Sequence, residues 1–270
     1  MGRVSDSDRR GFLRLTGAAA AGAAATALAG CSGEGTPVAD ASPGPATPAA
    51  SPGASGVPSP SATPGTSALA ALPAQVTHGP RGTGKVALTF HGQGPAAMAE
   101  ALLAAAEQGG AKITVLAVGS WLDQYPQMAT RILGGGHELG NHTWHHLDID
   151  SMDAAQARAE IEGCAARLRA LTGSARTWFR PSQTQYATPL VERTARRAGY
   201  RTCLSYDLDS LDYTDPGPDA VVASVLGSVR GGSVVSMHLG HPGTVTALPQ
   251  ILHAFSERKL RAVTATELFT

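Results

Sequence analysis

The sequence has no excess of either charge, few aromatic side chains and few cysteines. Its 21 basic and 21 acidic residues balance, aromatic residues make up 5%, and no basic stripe with interleaved aromatics is present. These features argue against nucleic acid as a partner. Three scattered cysteines are too few for a disulfide scaffold or a thiolate zinc site. The apolar run near the N-terminus holds Ala and Gly more than Leu and Ile, whereas a membrane-spanning helix needs about 20 predominantly apolar residues.

Residues 1–31 have the layout of an export signal. Paired arginines, Arg9 and Arg10, precede a short apolar run and small residues before Cys31. The arginine pair resembles a twin-arginine signal, which is an address and not an anchor. The sequence Leu-Ala-Gly-Cys that ends at Cys31 resembles the bacterial lipoprotein box, which implies lipidation of Cys31. We therefore expect an exported, extracytoplasmic protein that a lipid anchor holds on the plasma membrane.

Residues 32–74 consist almost entirely of Pro, Ala, Ser, Gly and Thr. Such a segment cannot bury enough apolar surface to offset its conformational entropy, so it is predicted to be a disordered tether. Its prolines favour an extended spacer between the membrane and a folded domain. The predicted folded domain covers residues 75–270.

The domain alternates predicted strands with predicted helices, which indicates an α/β architecture with parallel strands. The predicted strands are Lys85–Phe90, Lys112–Val118, His137–Asn141, Thr177–Arg180, Arg201–Tyr206, Ser233–His238 and Leu260–Val263. The predicted helices are Ala96–Gln108, Tyr125–Gly134, Ala154–Thr172, Pro189–Ala198, Ala220–Val229 and Val245–Arg258. Periodicity alone leaves open whether seven strands form a barrel or an open sheet.

A histidine-rich stretch follows the third predicted strand. His142 and His146 are four residues apart, and if the chain is helical there, both side chains point to one side and can hold one metal ion. Two imidazoles and an oxygen ligand form an open site of the catalytic type. The same spacing is also compatible with a solvated polar turn.

Unusual polar residues lie at or just past the ends of the predicted strands. In parallel α/β folds ligands bind at that edge, where the loops converge. The sequence therefore predicts one shared site. Its candidate residues are His91, His142, Arg180, Asp209, Asp212 and His238.

At these positions the sequence resembles the NodB-homology polysaccharide deacetylases. The resemblance begins near Gly84 and rests on His142-Thr-Trp-His-His146, Arg180-Pro-Ser-Gln183, Asp209-Ser-Leu-Asp-Tyr213 and Ser236-Met-His238. It implies a distorted (β/α) barrel of about seven parallel strands. It also implies a metal-dependent hydrolase that removes acetyl groups from cell-wall or chitin-like polysaccharide, including peptidoglycan.

The resemblance also implies roles for single residues. His142 and His146 would bind a divalent metal, with zinc as the expected ion, and His238 would act as the acid with Asp209 orienting it. Arg180 corresponds to the arginine that tethers the family's base. The expected substrate-contacting residues are Trp144, Ser182, Asp212 and Tyr213. The loops expected to set substrate choice are Asp123–Gln127, Gln183–Thr188 and Tyr213–Pro218.

The first family motif, Thr-Phe-Asp-Asp-Gly, departs here to Thr-Phe-His91-Gly92-Gln. His91 stands at the base position and Gly92 at the position of a metal ligand. In one account, His91 is the third ligand of an open three-histidine site, a known catalytic zinc arrangement. In the other, His91 is the base and two histidines hold the metal.

Because both aspartates of the first family motif are replaced, the sequence is also compatible with two other functions. The chain could be a catalytically silent carbohydrate-binding protein on the same fold. It could also be a surface lipoprotein that captures metal, with His145 and His241 as additional donors.

Overall fold

The computed structural model describes residues 64–270, in which parallel strands alternate with helices. The predicted export signal, its Cys31 and residues 32–63 of the predicted tether lie outside the described residues. The strands are β1 Gln75–Val76, β2 Lys85–Gly92, β3 Thr114–Ala117, β4 Glu138–Asn141, β5 Cys203–Leu204, β6 Leu208–Asp209, β7 Val234–His238 and β8 Arg261–Val263. The helices are α1 Pro64–Ala70, α2 Ala96–Gln108, α3 Gly119–Gln124, α4 Gln127–Gly134, α5 Ala154–Thr172, α6 Pro189–Arg197, α7 Pro218–Ser228, α8 Pro242–Glu257 and α9 Ala265–Phe269.

The strands form a distorted barrel around β2. This strand pairs in parallel with β3 on one side and with β7 on the other, while β8 pairs with its first residues. Strand β4 pairs with β3, and β6 pairs with β7. The ring closes through Phe179, which bridges Asn141 in β4 and Cys203 in β5. The row of paired strands runs from β4 to β6, and β5 and β6 lie only three residues apart in the chain. The segment that holds β5 and β6 therefore connects the β4 end of the row, through Phe179, with its β6 end. The predicted (β/α) barrel is confirmed.

The predicted strand Thr177–Arg180 is wrong, because only Phe179 makes strand-like bridges there. Arg176 has a positive φ of 66°, a conformation that extended strands do not use. Pro181 has no N–H to continue a ladder. These two residues restrict the extended segment at both ends.

Local sequence signals set the helix bounds that the site depends on. Helix α5 begins with a capping box in which Asp153 accepts from the backbone N–H of Gln156 and the Gln156 side chain bonds back. It ends at Gly173, whose φ of 75° suits a glycine. Thr188 caps α6, and Pro189 occupies its first position. The predicted bounds of α2 and α5 are those observed.

The folded region begins before residue 75, so the end of the predicted tether is corrected. Helix α1 lies within it, and Leu69 and Leu72 pack against a buried cluster that includes Leu268 and Phe269. These two leucines are large apolar side chains in a segment otherwise poor in them, and their burial offsets the entropy of ordering. Among residues 64–270, no helix combines the length and apolar character needed to span a membrane.

Candidate active site

Three histidines, one from β2 and two from the segment after β4, meet at the C-terminal edge of the barrel. His91 lies near the end of β2, His142 directly follows β4, and His146 lies in the loop beyond. One ring nitrogen from each lies within 4.8 Å of the others. The ring centroids of His91 and His142 are 4.4 Å apart, and those of His142 and His146 are 4.8 Å apart. Although β3 lies between β2 and β4, the register places both histidines at the same edge of the sheet: Gly92 pairs with Ala117, which pairs with Asn141, the residue before His142.

The chain is not helical after His142, so the predicted basis of the histidine pair is corrected. Thr143 and His146 have positive φ values of 67° and 59°, which turn the loop back on itself. The Asn141 side chain accepts from the Thr143 N–H at 2.8 Å. Glu160 of α5 accepts from the N–H groups of Trp144 and His145 at 2.9 and 2.7 Å. A loop fixed by these acceptors, and not an i, i+4 helical pair, positions His146.

The three histidines each leave one nitrogen free of hydrogen bonds. His142 Nδ1 donates to the carbonyl of Arg180 at 3.0 Å, and His91 Nε2 lies 3.0 Å from Ser236 Oγ. The nitrogens without a partner among the described residues are His91 Nδ1, His142 Nε2 and His146 Nε2, all buried. For His91 and His142, the bonded ring nitrogen is the usual means by which a protein orients the other nitrogen toward a metal.

Burial keeps these imidazoles neutral. Burial, followed by the neighbouring His142 and His238, lowers the pKa of His91 well below its ordinary value. Burial and then His146 lower the pKa of His142 well below its ordinary value, and burial and then His238 lower that of His146. Metal ligands must be deprotonated. The donor set therefore fits a divalent metal bound by three imidazoles with an open position.

A histidine–carboxylate pair lies beside the three histidines. His238, at the end of β7, has its ring centroid 4.3 Å from that of His91. Its Nδ1 is 2.7 Å from Asp212 Oδ1, and its backbone N–H donates to Asp212 Oδ2 at 2.8 Å. Thr244 Oγ1 donates to the same carboxylate at 2.6 Å. Burial raises the pKa of Asp212, but the bonds from His238 and Thr244 outweigh it and lower the pKa.

The carboxylate that orients His238 is therefore Asp212, and the prediction of Asp209 for this role is wrong. Asp209 Oδ1 accepts instead from the N–H of Leu211 at 3.0 Å. Leu211 has a positive φ of 59°, so the chain turns between the two aspartates and presents the second to His238. Asp209 lines the pocket in front of the histidines.

That pocket has a volume of about 360 Å³. His91, His146, His238 and Asp209 line it, while His142 lies beneath with no exposed surface. The rest of its wall comprises Gln93, Gln183, Thr184, Gln185, Tyr206, Tyr213, Ser236 and His241.

Arg180 is fully buried and does not line the pocket. It donates to the carbonyl of Leu204 at 2.9 Å and to Thr89 Oγ1 at 2.8 Å, but Nη1 has no partner among the described residues. Burial lowers its pKa to about 10. With a histidine at position 91 and glycine at 92, the guanidinium has no carboxylate bonded to it, and its contacts are structural.

Of the four predicted substrate-contacting residues, only Tyr213 lines the pocket, with its ring centroid 5.4 Å from that of His238. Asp212 holds His238. Ser182 is buried and donates to the carbonyl of Leu147. Trp144 is half-buried, and its ring lies against Gly119.

Sequence reasoning missed Glu160 and Ser236. A signal for Glu160 exists, because it falls on the buried stripe of α5 among Ala157, Ile161 and Cys164. A carboxylate on an apolar stripe needs a local partner.

Comparison with known proteins agrees with this architecture. The model of the polysaccharide deacetylase family matches residues 78–203. A peptidoglycan-N-acetylglucosamine deacetylase from Bacillus cereus is 31% identical over 170 residues, which cover 58% of this chain and 75% of the relative. The uncharacterized protein YlxY of Bacillus subtilis is 23% identical over 157 residues, covering 58% of this chain and 48% of its own length. This chain thus spans about half of that relative.

Among solved structures, a CE4 family pseudoenzyme from Bacillus anthracis superposes with a TM-score of 0.69 at 22% identity, covering 74% of this chain and 70% of the other. This match shows the shared fold. The fold class of this chain is a distorted (β/α) barrel with polar residues at the C-terminal edge of its strands. The chain belongs to the polysaccharide deacetylase family.

Proposed function

We propose that the chain is a metal-dependent hydrolase that removes acetyl groups from the amino sugars of a cell-wall or chitin-like polysaccharide. The observation that carries the proposal is the convergence of three unpartnered, buried imidazole nitrogens beside the His238–Asp212 pair in one pocket. The related deacetylase from Bacillus cereus supports the choice of bond, the carbon–nitrogen bond of an N-acetyl group.

We propose His91, His142 and His146 as the ligands and zinc as the ion. Three histidines with an open fourth position are an established catalytic zinc set. When bound, such an ion supplies Lewis-acid polarisation of an acyl carbonyl and acidifies water. In this account His91 is a ligand through Nδ1, because its Nε2 is engaged with Ser236.

The other pocket residues act on the proton and the leaving group. His238 Nδ1 donates to the Asp212 carboxylate, which leaves Nε2 as the nitrogen that can deliver a proton. Water adds to the acetyl carbonyl carbon and supplies the second oxygen of acetate; as the C–N bond breaks, the proton from His238 Nε2 passes to the departing sugar nitrogen, and acetate is released. Asp212 fixes the orientation of the His238 ring.

The test compares metal content and acetate release of the full chain with those of two variants. His91→Ala removes a proposed ligand. The control is His253→Ala, whose exposed ring lies 3.5 Å from Glu257 on helix α8 and lines no part of the pocket. Wild type and control should hold about one zinc per chain and release acetate from N-acetylglucosamine oligosaccharides. His91→Ala should lose both properties.

Other outcomes separate the rival accounts. Retained metal with lost acetate release in His91→Ala would favour His91 as the base. A zinc-bound wild type that binds oligosaccharide without turnover would be a silent carbohydrate-binding protein. A wild-type protein that binds metal but neither binds nor hydrolyses the oligosaccharide would be a metal-capture protein. A wild-type protein that holds no stoichiometric metal would refute the proposal.

We also propose that the protein is exported and lipid-anchored through Cys31, from the arginine pair and the cysteine box in the sequence. Radiolabelled palmitate should enter the wild-type protein and not a Cys31→Ser variant. Label in both would contradict the assignment.

A further inference from the structure

Within the described part of the chain, a single carboxylate lines the pocket in front of the three histidines, that of Asp209. The proposed reaction needs a group that accepts a proton from the attacking water, because His238 has the opposite task of donating one. Asp212 does not fit this task, since it is buried and already accepts three hydrogen bonds from His238 and Thr244. Asp209 is thus the carboxylate that water in the pocket can meet.

The other titratable groups of the pocket are less suited to accept a proton. The three histidines are assigned to the ion, so their free nitrogens are engaged. Burial and then Asp209 raise the pKa of Tyr206 to about 12, so its hydroxyl keeps its proton at neutral pH. His241 also lines the pocket, with Nδ1 2.9 Å from the exposed carboxylate of Asp215 and its ring centroid 5.8 Å from that of His238. His241 therefore enters the test as the competing residue.

Strand pairing places Asp209 beside the histidines. Asp209 of β6 lies opposite Ser236 of β7, and Ser236 lies opposite Thr89 of β2. Side chains of directly paired residues point to the same face of a sheet. Ser236 Oγ lies 3.0 Å from His91 Nε2. Asp209 is therefore presented on the face that carries His91, next to the hydroxyl that His91 contacts.

Two hydrogen bonds hold Asp209 in place. Its Oδ1 accepts from the N–H of Leu211 at 3.0 Å, and its backbone carbonyl accepts from Ser224 Oγ at 3.2 Å. The charge of Asp209 also reaches the buried Arg180: burial lowers the pKa of this guanidinium to about 10, whereas Tyr206 and Asp209 oppose the shift. An ionised carboxylate has about four acceptor sites, so sites remain for a water molecule in the pocket.

We propose that Asp209 is the catalytic base that takes a proton from the attacking water. This inference rests on the proposed function and deepens it, since ligation by three histidines leaves the proton acceptor unassigned. As the water oxygen bonds to the acetyl carbon, one O–H bond breaks, its proton passes to Asp209, and the C=O electron pair moves onto the carbonyl oxygen. When that pair returns, the C–N bond breaks and the nitrogen takes the proton of His238 Nε2. Asp209 then returns its proton to solvent and His238 regains one, so one water is consumed and an amine and acetic acid are formed.

The experiment compares Asp209→Asn with wild type in the full zinc-loaded chain. Asparagine keeps an acceptor for the Leu211 N–H but is not basic. For acetate release from N-acetylglucosamine oligosaccharides, kcat should fall at least about 100-fold while KM changes less than about threefold. Zinc content and thermal unfolding should match wild type. The matched control is Asp219→Asn, an exposed carboxylate in the first turn of α7 outside the pocket, which should keep the wild-type kcat.

A second variant, Asp209→Ala, leaves space for a small carboxylate from solution. Added sodium formate should increase its acetate release and should not increase that of Asp209→Asn, whose amide fills the space. A residue with only a structural role would not show this rescue. Thermal unfolding checks that both variants are folded.

The remaining outcomes separate the base from the hydrolase. Wild-type kcat in Asp209→Asn would overturn the assignment and leave the hydrolase in place, and loss of turnover in His241→Gln alone would assign the base to His241. A fall in kcat without rescue by formate, or with loss of zinc, would make Asp209 a structural residue and overturn the proposal. A zinc-bound wild type that releases no acetate would refute the proposed function and the base together.

Discussion

At the scale of single residues, Asp212 is the most constrained acid of the site. It is 1% exposed and accepts three hydrogen bonds: from the backbone N–H of His238, from His238 Nδ1 and from Thr244 Oγ1. A buried carboxylate with three donors cannot be replaced by an amide without presenting N–H to at least one of them. Its removal should therefore affect both folding and the proposed proton transfer.

We expect Asp212→Asn to lower kcat at least about 100-fold, because the His238 ring loses its orienting acceptor. The same change should cost about 1–3 kcal/mol of unfolding free energy. Zinc content should not change, since Asp212 contacts none of the three proposed ligands. Asp215→Asn is the matched control, because that exposed carboxylate bonds His241 in the same geometry at 2.9 Å. Equal kcat in the two variants would contradict the assigned role.

Gly92 shows why the missing ligand position cannot simply be refilled. A Cβ at this residue would lie 2.8 Å from both Ala117 Cα and Val115 Cγ1 of β3. Gly92→Ala and Gly92→Asp should each destabilise the fold by about 1–3 kcal/mol through overpacking. Gly134→Ala, where a Cβ meets nothing within 4 Å in a helix, should be neutral or stabilising. Denaturant unfolding measures all three, and a Gly92→Ala variant as stable as wild type would refute the argument.

At the scale of elements, the loop after β4 depends on helix α5. Glu160 Oε2 accepts from two consecutive backbone N–H groups, and Oε1 lies 2.6 Å from His145 Nδ1. Thr143 adds a bond to the N–H of His146 at 3.2 Å. The loop holds its left-handed residues because these acceptors replace the bonds that a helix would supply.

We expect Glu160→Ala to lower zinc affinity about 10- to 100-fold, as loss of a group that orients a ligand does. It should also lower the unfolding free energy by about 1–3 kcal/mol, because two N–H groups lose their partner. Glu162→Ala on the exposed face of the same helix controls for helix propensity. Calorimetric zinc titration gives the affinity, and unchanged binding in Glu160→Ala would show that the loop holds itself.

The same loop shows where sequence reasoning succeeds and fails. Apolar periodicity and caps predicted α2 and α5 with their bounds, and strand ends predicted which polar residues share an edge. The partner of His238 could not be predicted, since it depends on a left-handed Leu211 between two aspartates. The two-residue strands β1 and β6 carry no periodicity, so only long-range pairing defines them.

At the scale of the whole molecule, buried neutral histidines make stability depend on pH. Away from the site, His137 is 4% exposed, and its Nδ1 accepts from the N–H of Ile113 at 3.2 Å. Burial lowers its pKa; Glu107 on α2 opposes this, while Lys112 and Arg131 add to it. Protonation of Nδ1 would break the bond from Ile113.

The sign of the pH effect follows from the lowered pKa. In the unfolded chain the pKa of His137 is about 6.5, so above this pH the residue is neutral in both the folded and the unfolded state. As the pH falls below 6.5, the unfolded state binds a proton before the folded state does, because the pKa of the folded state is lower. Stability should therefore fall with pH below about 6.5, by at most about 1.4 kcal/mol per pH unit from this residue. His137→Asn keeps an acceptor for Ile113 and should flatten the denaturation curves recorded from pH 7.5 to 5. The exposed His253→Asn should not change the slope.

The pairing of β2 also determines when the barrel can form during synthesis. This early strand takes β7, residues 234–238, and β8, residues 261–263, as neighbours. A nascent chain that has emerged only to residue 230 contains β2 with one long edge unpaired, along with the apolar faces that β7 and α8 cover. Such long-range pairing is slow, because the loop entropy is lost before the contacts form. The ribosome must therefore release nearly the whole domain before its core closes, and chaperones that shield unpaired strand edges have their target in that interval.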